Sequence, residues 1–178
     1  MPLAAGLGDN ADMSSFTVSF VCTGNICRSP MGEAILRDLL DREGLGDRVQ
    51  VVSAGTGDWH VGGPADPRTL STLREYGLDG EAHRAEQFVA DHFERTDLVL
   101  ALDRSHERAL RAMAPTPEDA EKVRLVRSFD PVARDAGELE VDDPYYGDDA
   151  GFVTTYEELL PACEGVVEYL KERLAVTR

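Results

Sequence analysis

The sequence predicts an α/β fold: a single-domain, three-layer sandwich with a four-stranded parallel sheet and helices on both faces. Two observations carry that prediction. Short, almost unbroken apolar runs alternate along the chain with longer stretches whose apolar residues recur every three or four positions, the marks of strand and helix. Strands that are apolar at nearly every position are buried on both faces, as in a parallel sheet between helical layers. A length of 178 residues suits one domain that buries roughly two-thirds of its unfolded surface.

The first strand is expected over residues 16–21. Ser29 as N-cap and Pro30 at the first helical position open a helix over 30–42, striped by Met31, Ile35, Leu36, Leu39 and Leu40. A second strand over 49–53 runs into a loop rich in glycine, and a helix over 67–76 is stopped by Gly77. A short helix is expected over 87–93, then the clearest buried strand over 97–102 and a helix over 105–113. Residues 123–126 make the fourth strand, and 130–151 are acidic and rich in turn residues. From Phe152 to Leu174 apolar residues again mark one helical face, with Pro161 expected to bend or break that helix. Residues 1–15 lack the basic start and apolar centre of a signal peptide and read as a disordered leader, leaving 16–178 as one domain.

Composition narrows the function. A formal net charge of −16 argues against nucleic acid and anionic membrane surfaces as partners. No apolar run approaches the ~20 residues of a membrane helix. The same charge repels phosphate at long range, but screening hides carboxylates beyond ~8–10 Å, so local donors decide what binds. Three cysteines, an odd number, make no disulfide framework, and without a secretory signal a reducing, cytoplasmic setting is the default. Nothing in the sequence asks for a metal or a cofactor, and there is no Gly-x4-Gly-Lys-Ser/Thr loop of a nucleotide hydrolase.

The stretch that carries chemistry joins the first strand to the first helix: Cys22-Thr23-Gly24-Asn25-Ile26-Cys27-Arg28-Ser29-Pro30. A loop of small residues at a helix N-terminus turns several backbone N–H groups into one concavity, suited to an oxyanion such as phosphate. N–H groups, helix dipole and guanidinium together favour the thiolate, which is the nucleophilic form of cysteine. Arg28 offers a planar fork that matches two phosphate oxygens, and Ser29 can donate a hydrogen bond to sulfur. Gly24 permits close approach of the backbone, and Asn25 accepts a left-handed conformation readily. A thiolate attacking phosphorus needs a proton donor for the leaving oxygen. Asp142-Asp143-Pro144-Tyr145-Tyr146-Gly147 supplies a candidate, because proline holds the preceding aspartate extended and stiffens the loop. On the residues alone this stretch is equally a plain acidic turn.

Together, Cys-Thr-Gly-Asn-Ile-Cys-Arg-Ser-Pro and Asp-Pro-Tyr-Tyr-Gly resemble the low-molecular-weight protein tyrosine phosphatases. The resemblance runs from about Phe16 to the end, through Ser53-Ala54-Gly55, Asp58-Trp59 and Ala101-Leu102-Asp103. It implies hydrolysis of phosphotyrosine in a protein substrate through a phosphocysteine intermediate, by a monomer without metal or cofactor. Cys22 would be the nucleophile, Arg28 the phosphate clamp, and Asp143 the general acid and later the base. Ser29, Asn25, Ser53 and His83 match a network that holds the loop in shape. Thr23, Gly24, Ile26 and Cys27 would face the phosphate, and Trp59 and Tyr145 would wall the substrate cleft. Asp103 matches a supporting acid, although a helix N-cap is its simpler role. Cys27 is matched to a reversible disulfide with Cys22, or to a small residue that merely fits. Cys163, on the apolar face of the last helix, reads as core.

Glu86 departs from the pattern, because many relatives carry a basic residue three positions after His83, and the leader has no counterpart in the family core. The rival functions are an arsenate reductase, a protein arginine phosphatase, and a non-catalytic phosphotyrosine or oxyanion-binding module. Arsenate reductases of this fold use an extra cysteine pair near residues 82–90, where this chain has none. The arginine phosphatases carry threonine where Ile26 stands.

Overall fold

The computed structural model describes residues 15–176. Except for Ser15, the expected leader lies outside them. Four parallel strands, β1 (Phe16–Cys22), β2 (Val49–Gly55), β3 (Leu98–Ala101) and β4 (Val123–Leu125), form one sheet in the order β2-β1-β3-β4. The helices are α1 (Arg28–Arg42), α2 (Pro67–Glu75), α3 (Arg104–Met113), α4 (Pro117–Glu121), α5 (Pro131–Ala136) and α6 (Asp149–Val176). Short 3-10 turns occupy Ala90–Arg95 and Val126–Phe129.

Side chains alternate across β1, so the strand feeds two cores. Phe16, Val18, Phe20 and Cys22 join the layer of α1 and α6, whereas Val21 joins Val99, Ala101 and Leu110 on the other face. Helix α1 presses closely on the sheet through Gly32, where an added Cβ would stand 2.6 Å from the Phe20 ring. In the β1–β3 register Val21 pairs with Ala101, so Cys22 comes level with Leu102 and Asp103 follows at the carboxyl edge. The strand order reverses at β1, and a ligand crevice is expected at the carboxyl ends there.

Three local expectations are corrected. Helix α1 starts at Arg28 with Cys27 as its cap, two residues before the expected Pro30, and Ser29 is not the N-cap. The Ser29 hydroxyl is engaged across the loop instead, with Cys22 and Asn25. Helix α6 runs unbroken through Pro161. Its buried stripe, from Phe152 to Leu174, outweighs the ~3 kcal/mol that an interior proline costs, since each large apolar side chain contributes about 1.5–3 kcal/mol on burial. The helix expected over 87–93 is displaced to the 3-10 turn Ala90–Arg95, because Gln87 pairs with Gly55 as a bridge beside β2. Among the described residues, no helix is long and apolar enough to cross a membrane.

Candidate active site

Strand β1 ends at Cys22, buried at 3% exposure, and the next five residues wrap back over it before α1 begins. Asn25 is the hinge of this wrap. It is the sole described non-glycine residue with positive φ, at 59°, a conformation asparagine tolerates better than most. Its amide nitrogen donates to Ser29 Oγ at 2.8 Å and Ser53 Oγ at 3.0 Å. Its amide oxygen accepts from the Glu86 N–H at 2.9 Å, and its carbonyl lies 2.7 Å from His83 Nε2. Every polar atom of its fully buried side chain is thus engaged. Gly55 sits directly beneath, where a Cβ would come within 2.6 Å of the Thr23 carbonyl oxygen.

That network orients Cys22, the candidate nucleophile. Ser29 Oγ accepts from Asn25, so its own proton is free for Cys22 Sγ, 2.9 Å away. A hydrogen bond to sulfur stabilises it as a thiolate and as a leaving group. Ser53 Oγ donates to Glu33 Oε1 at 2.6 Å, and His83 Nδ1 lies 3.8 Å from the same oxygen. Asn25, Ser29, Ser53 and His83 therefore meet as expected. Glu33 was missed because it occupies an ordinary i, i+4 position toward Arg37.

Arg28 is 2% exposed. Both protons of its Nη1 are committed, to Asp103 Oδ2 and to the Val141 carbonyl, each at 2.8 Å. Nε and Nη2 remain as the two-pronged face for a phosphate. Nη2 lies 3.7 Å from Asp143 Oδ2, so the clamp and the candidate acid share one cavity. Asp103 is the N-cap that was its simpler role, since Oδ1 caps α3 through the N–H groups of Ser105 and His106 while Oδ2 holds Arg28. Hydrogen bonds from Ser105 and Arg28 overcome desolvation and hold its carboxyl at about 2.

His106 was missed altogether. It is 2% exposed, and its Nδ1 accepts the Asp103 N–H at 3.2 Å. Nε2 therefore carries the proton and donates to Thr23 Oγ1 at 2.8 Å, tying the loop to α3. The Asp-x-x-His spacing of a capping box was its one signal in the sequence. Burial, then the Arg28 charge, lowers the imidazole to about 4 from 6.5. The unfolded chain thus takes up this proton first, and stability falls as pH drops from 6.5 toward 4, by up to about 3 kcal/mol. His106→Asn is expected to flatten that decline in urea unfolding at pH 7 and pH 4.5; an unchanged slope would remove His106 as its source.

The cavity measures about 390 Å³. Cys22 and Arg28 line it together with Asp143 and all six residues expected at the substrate: Thr23, Gly24, Ile26, Cys27, Trp59 and Tyr145. Trp59 is 71% exposed and Tyr145 37%, and His60 and Tyr146 join the lining unforeseen. Arg68 fixes the loop that bears Asp143 and Tyr145. It is gripped by Asp66, donates to the carbonyls of Tyr145 and Gly147 at 3.1 and 3.2 Å, and lies 4.4 Å over the Phe152 ring. Cys27 is buried, and burial and the nearby Asp66 carboxylate push its thiol up, which favours the protonated form. Cys22, Cys27 and Cys163 are all free, and Cys163 is fully buried in the core. The Glu86 carboxylate is not loose at the rim: His92 Nε2 donates to it at 2.8 Å.

A buried cysteine under a backbone cradle, an arginine fork and an aspartate facing it define a cysteine-dependent enzyme for oxyanion esters, on a parallel α/β sheet. Comparison with known proteins sharpens this. Residues 17–176 match the model of the low molecular weight phosphotyrosine protein phosphatase family. The chain is 51% identical over 162 residues to a low molecular weight protein-tyrosine-phosphatase of Streptomyces coelicolor, covering 90% of this chain and 96% of that one. Its fold is similar to the crystal structure of a protein tyrosine phosphatase from Entamoeba histolytica, with a TM-score of 0.83, 30% identity, and coverage of 88% and 97%. It is also similar to Vibrio vulnificus Wzb in complex with benzylphosphonate, with a TM-score of 0.73, 29% identity, and coverage of 86% and 98%. The chain belongs to the low molecular weight protein tyrosine phosphatases.

Proposed function

We propose that this protein hydrolyses phosphotyrosine in protein substrates, and small aryl phosphates, with Cys22 as nucleophile, Arg28 as phosphate clamp and Asp143 as acid and base. The observation that carries this reading is the cavity itself, in which Cys22, the free face of Arg28 and Asp143 meet beneath the exposed rings of Trp59 and Tyr145. A phosphate seated on the 23–28 loop receives the loop N–H groups and Arg28 Nε and Nη2, and the phenyl ring projects outward between the two aromatic walls. Stacking there contributes about 0.5–1.5 kcal/mol beyond burial.

Cys22 Sγ attacks phosphorus opposite the ester oxygen. The S–P bond forms as the P–O bond breaks, and Asp143 passes its proton to the departing phenolate. Asp143, now a carboxylate, takes a proton from a water that attacks the phosphocysteine. The S–P bond then breaks, releasing inorganic phosphate, and the sulfur returns to the hydrogen bond of Ser29. Arg28 and the loop N–H groups stabilise the equatorial oxygens in both steps. Ping-pong kinetics follow. A monomeric, cytoplasmic protein with residues 16–178 as a single phosphatase domain fits this reading, with phosphate and other oxyanions as ligands of the same cradle.

Asp143→Asn is expected to lower kcat/KM for a phosphotyrosine peptide by about 10²–10³, and Asp142→Asn to retain most of it. The reverse order would move the acid to Asp142. Turnover of phosphotyrosine, phosphoserine, phosphoarginine and arsenate in one preparation tests the substrate class: phosphotyrosine is expected to lead, and tight phosphotyrosine binding without turnover would leave only a binding module.

A further inference from the structure

The segment that delivers Asp143, residues 138–144, has no regular secondary structure. Its backbone is nevertheless held almost atom by atom. The Glu140 carbonyl accepts from Arg127 Nη1 at 3.0 Å. The Val141 N–H donates to the Leu102 carbonyl and the Val141 carbonyl accepts from Arg28 Nη1, each at 2.8 Å. Glu158 stands behind Arg127, and burial pushes its carboxyl up although the Arg127 charge works the other way.

Among the side chains at this segment, Arg127 and Glu158 line no part of the cavity. They come from different elements, the 3-10 turn Val126–Phe129 and helix α6, and meet behind the loop. Their side chains are 12% and 22% exposed, and Nη1 and Oε2 are 3.6 Å apart. Arg127 Nε and Glu158 Oε1 make no hydrogen bond to the described residues. A partly buried pair built for its own strength would close both prongs, because desolvation otherwise cancels the attraction. This one is open. What Arg127 grips is the main-chain carbonyl of Glu140, three residues ahead of the candidate acid.

We propose that Arg127, braced by Glu158, is a positioning residue for Asp143, which anchors the backbone at Glu140 so that the Asp143 carboxyl meets the leaving-group oxygen. The inference rests on Asp143 being the general acid. It predicts a defect that depends on the leaving group: phenolate needs protonation more than p-nitrophenolate does, so slight misplacement of the acid penalises phenyl phosphate selectively.

The test compares kcat/KM for phenyl phosphate and p-nitrophenyl phosphate in Arg127→Met. Arg127→Met/Glu158→Gln is measured beside it, because it leaves no unpaired buried charge and so remains folded if the single variant does not. Phenyl phosphate is expected to lose about tenfold more than p-nitrophenyl phosphate. The inhibition constant for inorganic phosphate should stay unchanged, since the cradle is untouched, and Arg127→Lys should recover most of the difference by donating to the Glu140 carbonyl. In an Asp143→Asn background the same substitution should add no further selectivity. Equal losses on both esters would mean general loosening and overturn the proposal. If Asp143→Asn itself lacks the leaving-group signature, the acid assignment fails and takes this inference with it; if Asp143→Asn shows it and the Arg127 variants do not, only the positioning role fails.

Discussion

Cys22→Ser is expected to abolish turnover of p-nitrophenyl phosphate, by about 10⁴-fold or more, while phosphate binding survives. The substitution changes one atom at the end of β1 and leaves the Asn25 network intact. A serine hydroxyl is a far weaker nucleophile than a thiolate, and the hydroxyl bonded to it, Ser29, donates toward it rather than taking its proton. Full activity in Cys22→Ser would end the proposed mechanism. Retained binding of phosphate with no turnover separates the nucleophile from the cradle.

Arg28→Ala is expected to be inactive, and Arg28→Lys to lose about 10²–10³ in kcat. The lysine result is the more telling. A lysine restores a positive charge but cannot serve Asp103, the Val141 carbonyl and a phosphate at once, as the guanidinium does from its separate faces. It also leaves the Asp103 carboxylate, held at about 2 by Ser105 and Arg28, short of a partner in a partly buried site. Steady-state kinetics together with thermal unfolding distinguish these effects. Near-normal kcat in Arg28→Lys would show that a point charge suffices and that the fork has no special role.

Strand order aside, the fold was legible because the four strand runs are short, separated and mostly apolar. The site was legible because Cys22, Arg28 and Asp143 lie in compact motifs whose chemistry depends on neighbours in sequence. The misses have a common cause. Ser29 and Pro30 look like a helix start by local preference, but the serine hydroxyl is engaged by Cys22 and Asn25, and the helix begins earlier. Pro161 looks like a break, but the stripe on both sides of it is buried against the sheet and α1. His106, Glu33, Arg68 and Arg127 act across separations of 13 to 83 positions that leave no periodic trace. Each is an unremarkable charged or polar residue until the chain folds.

The closed circuit of hydrogen bonds around Asn25 has a thermodynamic consequence. The loop already occupies its left-handed turn, and its side-chain donors and acceptors already have partners, before any ester arrives. An anion that enters therefore orders almost nothing. Ordering a flexible five-residue loop would cost about 1–2 kcal/mol per residue in backbone entropy, and that expense was met when the chain folded. The binding energy of a phosphoryl group is left available for the reaction itself.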